Sequence, residues 1–256
     1  FYEPALGWMN REEGPTFLWL FVLDPHTPYL PSSEYRSGST LSMLFENTRL
    51  LLKDSSSLVK PNADRLLRWY EDTIRETDDF LRQLRADTSD DTIIMVHADH
   101  GEAFGPVDHG EYGHHTYLYE ENVHVPFVID TPDQSATVSE PVSLADLPEI
   151  TASVVNGELN YPQRTAAFSR ALSPNKIAAR TKQRKYIISI TDDHTIGEIE
   201  AYDIDDDPDE RNPIDLTKEN VDDDILIMMA RRLFHEKELM AISKETTDLT
   251  LTGDKL

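Results

Sequence analysis

The chain contains no cysteine. Disulfides, thiolate metal ligands and a cysteine nucleophile are therefore excluded within its 256 residues. Glycine is scarce at 10 residues and lysine scarcer at nine. No apolar run approaches the roughly 20 residues of a membrane span, and no signal peptide is visible. The first residue is Phe1 rather than Met, so the native start is expected upstream. Positive charge is also short: 24 Lys and Arg stand against 48 Asp and Glu, a formal net charge of −24. Phosphate binding needs basic patches, so nucleic acid is not expected as a partner. Such a surface keeps a protein dispersed at the cost of self-repulsion, which salt screens. A salt-rich setting is the expectation.

Histidine and glycine are concentrated in one stretch. Six of the nine histidines lie between Thr92 and Pro126: His97, His100, His109, His114, His115 and His124. Glycines 101, 105, 110 and 113 lie there too. The stretch opens with the apolar run Ile93-Ile94-Met95-Val96, which suits a strand buried on both faces. It exits into Ala98-Asp99-His100-Gly101-Glu102. A carboxylate and an imidazole at a strand exit occupy the usual place for a site in an open α/β sheet. Thr16–Leu23 reads as a second buried strand, exiting into Asp24-Pro25-His26-Thr27-Pro28-Tyr29. The two prolines bias this loop toward extended backbone and stiffen the presentation of His26.

Between and beyond these strands the pattern alternates. Asn62 to Ala86 predicts a long helix with Leu66, Tyr70, Ile74, Leu81 and Leu84 on one stripe. Residues 30 to 60 give no clear element. Phe127–Asp130 predicts a short strand. Asp146 predicts the N-cap of a helix with Pro148 in its first turn, and Gly157 its stop. Helices alternating with strands predict an α/β domain with a mostly parallel sheet sandwiched by helices. From about residue 166 the pattern changes. Lys185–Thr191 and Glu198–Ile204 predict an antiparallel pair joined around Asp192-Asp193-His194. Val221 to Lys244 predicts a terminal amphipathic helix with Ile225, Met229 and Leu233 inward. The division expected is residues 1–165 as the α/β part and 166–256 as a small α+β subdomain. The acidic run Asp203 to Glu210 fails the calcium-loop template, because Pro208 replaces its glycine and Ile214 its closing glutamate; a solvated turn is expected.

Asp99 and His100 can face one divalent cation, but an Asp-His pair is only part of a coordination shell. His26, His109 and His114 or His115 lie on loops that could reach the same sheet edge. Imidazole can ligate metal, bind an anion or protonate a leaving group. The set suits chemistry on an anionic tetrahedral group held by a metal, and it lacks a nucleophile.

Four collinear segments carry a resemblance. His26-Thr27-Pro28-Tyr29 resembles the His-x-Pro-Tyr segment of sulfatases in the alkaline phosphatase superfamily. Asp99-His100-Gly101-Glu102 resembles their Asp-His-Gly-Glu metal motif. Gly113-His114, Leu118-Tyr119-Glu120-Glu121 and Val125-Pro126 are similar to a third segment. Lys185-Tyr186-Ile187 with Ala201-Tyr202-Asp203-Ile204 and Asp207-Pro208-Asp209-Glu210 resembles the C-terminal hairpin. The acidic, lysine-poor composition resembles that of haloarchaeal proteins. The resemblance implies that Asp99 and His100 ligate one divalent cation, calcium foremost, with magnesium or manganese as alternatives. It implies that His26 contacts the sulfate and protonates the leaving oxygen. It implies that His114 holds a sulfate oxygen, with His115 the alternative in that register. His109 is not implied in catalysis. The implied substrate is a small-molecule or saccharide sulfate ester. The Cys/Ser-x-Pro-x-Arg motif that yields formylglycine, and the early aspartates, do not occur here. The family places them upstream, so the chain is expected to correspond to the C-terminal part of a sulfatase. The alternatives are a phosphodiester or phosphonate hydrolase of the same superfamily, and a degenerate, non-catalytic binding domain.

Overall fold

A computed structural model describes residues 2–9, 11, 14–52, 60–114, 117–132, 136–172, 175–191, 195–217, 222, 224–233 and 235. The chain divides into two compact units: Phe1–Ala98, Glu102–Gly113 and Val125–Ser135 form one, and Asp99–Gly101, His114–His124 and Ala136–Leu256 the other.

The first unit holds helices α1 (Tyr2–Met9), α2 (Thr40–Leu52) and α3 (Ala63–Asp87). Its strands are β1 (Ile94–His97), β2 (Ala103–Gly105), β3 (Glu111–Gly113) and β4 (Phe127–Asp130). The α3 helix begins where the sequence indicates, because the Asn62 side chain accepts from Arg65 N at 3.0 Å and satisfies an orphan donor. Its inward face keeps part of the expected stripe, with Leu66 buried and Tyr70 packed on the core, but it also buries Trp69, Asp72 and Thr73 and leaves Ile74 exposed. Polar anchors turn the helix. Asp72 accepts from Ser37 N at 2.8 Å, Glu76 from Ser32 N at 2.9 Å and Asp79 from Tyr35 Oη at 2.7 Å. Tyr29, Met43, Leu50, Leu66, Trp69 and Phe104 form the core beside it. The unplaced residues 30 to 60 thus contain α2, which supplies Met43 and Leu50.

Two strand expectations are corrected here. Thr16–Leu23 pairs with no strand among the described residues, and Phe17 and Trp19 are 76% and 74% exposed. A strand exists through its hydrogen-bonded neighbour, which an apolar run does not specify. The Ile93 run forms β1, but half-buried and antiparallel to β4, with Val96 opposite Val128. Helices and sheets together fit the α/β class. The parallel pairing expected within it does not occur among the described residues, where every strand pair is antiparallel.

In the second unit, α4 (Glu120–Val123) precedes α5 (Leu147–Val155) and the strands β5 (Ala167–Leu172), β6 (Asn175–Arg180), β7 (Arg184–Ile190) and β8 (Ile196–Asp203). The strands form one antiparallel sheet in sequence order. The expected pair is β7 and β8, with Asp192, Asp193 and His194 outside the described residues. Side chains alternate between the two sheet faces. Ile177, Ala179, Tyr186 and Ile188 meet Ile225 and Met229 of helix α6, residues 224–233. Ala178, Ile187 and Tyr202 meet Leu118 and Tyr119. Both faces are covered, which is why β7 reads as an unbroken apolar run. Asp146 stands at the α5 N-cap but makes no capping bond, a correction to the expected role. Its carboxylate is taken by Arg164 Nε at 2.6 Å. Gly157 does end the turn, at φ +79°. The acidic stretch is a turn whose Asp207 carboxylate accepts from Arg211 N at 3.0 Å and Asn212 N at 2.7 Å.

Candidate functional site

After β1 the chain passes through Asp99-His100-Gly101. Asp99 Oδ1 accepts from His100 N at 3.1 Å. His100 Nδ1 lies 2.9 Å from Gly101 O. A carbonyl only accepts, so Nδ1 carries the proton and Nε2 is the lone-pair nitrogen of the neutral ring. That Nε2 is 3.7 Å from Asp99 Oδ1. Two ligands about 2.4 Å from one cation lie about 3.4 Å apart when at right angles, so the spacing suits cis ligands of a single ion. A ligating histidine commonly gives its second N–H to a carbonyl, as His100 does. The side chains are 63% and 36% exposed, open to an incoming ion. The pair fits a divalent cation as part of a shell. No group of three or more His, Cys, Asp or Glu among the described residues could hold one.

His114 joins this pair. Its ring stacks on His100 with centroids 3.8 Å apart and planes 22° from parallel. The loop is held from the other side by α4: Gly101 N donates to Asn122 O at 2.8 Å. A Cβ on Gly101 would lie 2.1 Å from Glu121 O, so only glycine allows this approach.

His26 belongs to the other unit. Its amide donates to Leu23 O at 3.0 Å and its Nδ1 donates to Thr27 O at 2.7 Å. The anchor of its loop is Tyr29, whose amide donates to Asn47 Oδ1 at 2.9 Å and whose ring meets Tyr70 edge-on at 5.6 Å. Burial and the Glu102 carboxylate push the Tyr29 hydroxyl far above its ordinary pKa, keeping it protonated. His115 lies outside the described residues. His109 sits in a turn at φ 26°, His97 faces Phe127 within the β1–β4 pair, and His124 is exposed beside Glu120.

Sequence reasoning assigned no role to a buried ion cluster next to α4. Lys185 is fully buried, with Nζ 3.0 Å from Glu120 Oε1 and 3.0 Å from Glu210 Oε1. Burial alone would raise the Glu120 carboxyl, yet Lys185 and Arg180 hold it below the usual range. Burial raises Glu210, which Lys185 offsets only in part. The signal was present: a lysine opening an otherwise apolar strand must find partners if it is buried.

A model of the sulfatase family matches residues 1–155. Two solved structures are similar in fold. One is a Bacteroides fragilis protein assigned as a sulfatase, with TM-score 0.60 and 20% identity over 85% of this chain and 54% of that one. The other is a protein of glycosaminoglycan metabolism in Bacteroides thetaiotaomicron, with TM-score 0.58 and 12% identity over 88% of this chain and 55% of that one. The chain thus spans about half the length of these structures. No curated protein matches it.

Proposed function

The chain belongs to the sulfatase family, and on that premise we propose that it supplies the cation-binding and sulfate-binding side chains of a metal-dependent sulfate ester hydrolase. The observation that carries this reading is the convergence of Asp99 Oδ1 and His100 Nε2, 3.7 Å apart, with His114 stacked on His100. Asp99 and His100 would hold one divalent cation, calcium foremost. When bound, the cation supplies Lewis-acid charge at the sulfate oxygens. His114 binds a sulfate oxygen. His26, whose Nδ1 donates to Thr27 O, would act in its imidazolium form and pass its Nε2 proton to the leaving oxygen. The substrate is a small-molecule or saccharide sulfate ester.

These 256 residues contain no cysteine and no Ser-x-Pro-x-Arg motif, so they supply no formylglycine precursor. The full activity therefore needs a nucleophile and further cation ligands from sequence beyond them. In protein carrying that segment, aryl sulfate turnover is expected to need a divalent cation, and Asp99→Ala to abolish turnover and cation binding together. Calorimetry that found cation binding unchanged in Asp99→Ala would remove the ligand role from that residue.

A further inference from the structure

Lys185 sits on β7, and the segment that reaches the Asp99–His100 loop is α4. The start of α4 is tied to β6, β7, β8 and the loop after β8, with Arg180 Nε of β6 3.3 Å from Glu120 Oε2. Lys185 Nζ bridges Glu120 and Glu210, each at 3.0 Å. Glu210 Oε2 accepts from the Glu120 amide at 2.5 Å, so the first residue of α4 is held by charge and by main chain. One residue earlier, Tyr119 Oη donates to Glu200 Oε2 on β8 at 2.8 Å. From α4 the tie continues to the loop, where Gly101 N donates to Asn122 O at 2.8 Å. Against it Gly101 is packed too closely for any side chain.

We infer that Lys185 is a positioning residue for the Asp99–His100 pair, acting through Glu120 and α4. The inference rests on the cation reading proposed above. A buried ion pair is a poor stabiliser, since apolar residues of similar volume often serve as well or better. What the cluster adds is direction. Nζ of a 0% exposed lysine has two carboxylates to choose from, and both fix the start of α4. An apolar side chain would fill the space, take the buried cation from Glu120 and Glu210, and leave the Glu120 carboxylate to the partly exposed Arg180, 3.3 Å away, which loosens the start of α4. Only Glu121 separates Glu120 from Asn122, whose carbonyl holds the Gly101 amide. A displaced α4 therefore carries Gly101 and His100 with it and opens the 3.7 Å spacing.

The test adds Mn2+ alone to the chain and follows the ring-proton NMR signals of His100 and His114, assigned with His100→Gln and His114→Gln. In the wild type, small additions of Mn2+ are expected to broaden both signals, and Asp99→Ala to prevent it. Lys185→Met is expected to need about 10- to 100-fold more Mn2+ for the same broadening, the usual cost of removing an outer support of a metal ligand. Glu120→Gln keeps the size and removes the charge; it is expected to shift the dependence in the same direction and decides the matter if Lys185→Met does not fold. If Asp99→Ala broadens like the wild type, the cation reading itself fails. If Asp99→Ala abolishes broadening while folded Lys185→Met or Glu120→Gln titrates like the wild type, the positioning role is overturned, even where the melting temperature falls.

Discussion

His26, His97 and His100 each place Nδ1 against the carbonyl of the following residue, at 2.7, 3.1 and 2.9 Å. In the neutral ring this selects the tautomer with Nε2 as the acceptor nitrogen, and in the imidazolium it leaves the Nε2 proton to be donated. The pattern is local and does not by itself make a site: His97 has it inside the β1–β4 pair, opposite Phe127. What separates His100 is the Asp99 carboxylate and the His114 ring, and only the first is adjacent in sequence. Asp146 shows the same limit from the other side. Its position before Leu147-Pro148 reads as a helix cap, but its partner Arg164 lies 18 residues on. The Arg164 hydrogen bonds hold the Asp146 carboxyl below its ordinary pKa, against burial. A depressed folded-state pKa stabilises above the unfolded value of about 3.9 and is lost as pH falls through the folded one. Arg164→Met is expected to cost about 1.5–3 kcal/mol near neutral pH, where a buried charged group loses its donors. The penalty should shrink in acid, once Asp146 is protonated. Melting curves of both proteins across this range check it; a penalty independent of pH would assign Arg164 an apolar packing role.

Elements were legible where a local rule sufficed. Asn62 announces α3, and the β-branched run of β7 announces a strand. The strands β5 and β6 (AFSRAL and NKIAAR) carry alanine, a weak strand former, and become strands by pairing in turn, β6 onto β7 and β5 onto β6. The stretch at 16–23 is the reverse case, an apolar run without a partner among the described residues. The loop–α4 contact was half legible. The motif contains Gly101, but the reason for a glycine is the Glu121 carbonyl 20 positions away, which no local reading reaches. Gly101→Ala would set a Cβ 2.1 Å from that backbone oxygen, where nothing flexible can yield. The backbone must move, at a cost of about 1–3 kcal/mol typical of overpacking. Chemical unfolding is expected to register that loss, together with a lengthened Gly101–Asn122 bond seen as faster amide exchange at Gly101. Wild-type stability and exchange would mean that α4 does not confine this loop.

For the whole molecule, the dominant quantity is the charge of −24, and it was readable at once because it depends on composition and not on conformation. Its consequence follows from two opposing effects of salt. Screening weakens attractive surface pairs such as Arg82–Asp79, at 2.7 Å with side chains 72% and 42% exposed. Pairs of this kind contribute less than about 1 kcal/mol each, so little is lost. Screening also weakens repulsion among 48 acidic groups with only 24 cations to offset them. That repulsion acts over many pairs, and the screening length falls from about 8 Å at physiological ionic strength to about 3 Å at 1 M. The Lys185 cluster is buried and is screened far less. The repulsive sum therefore sets the sign, and the melting temperature is expected to climb as KCl rises from about 0.1 M into the molar range. Substituting a tetramethylammonium salt at equal ionic strength should reproduce the rise if screening is its source. A melting temperature that stays flat or falls with KCl would show that the acidic surface does not govern stability, and would remove the basis for a salt-rich setting.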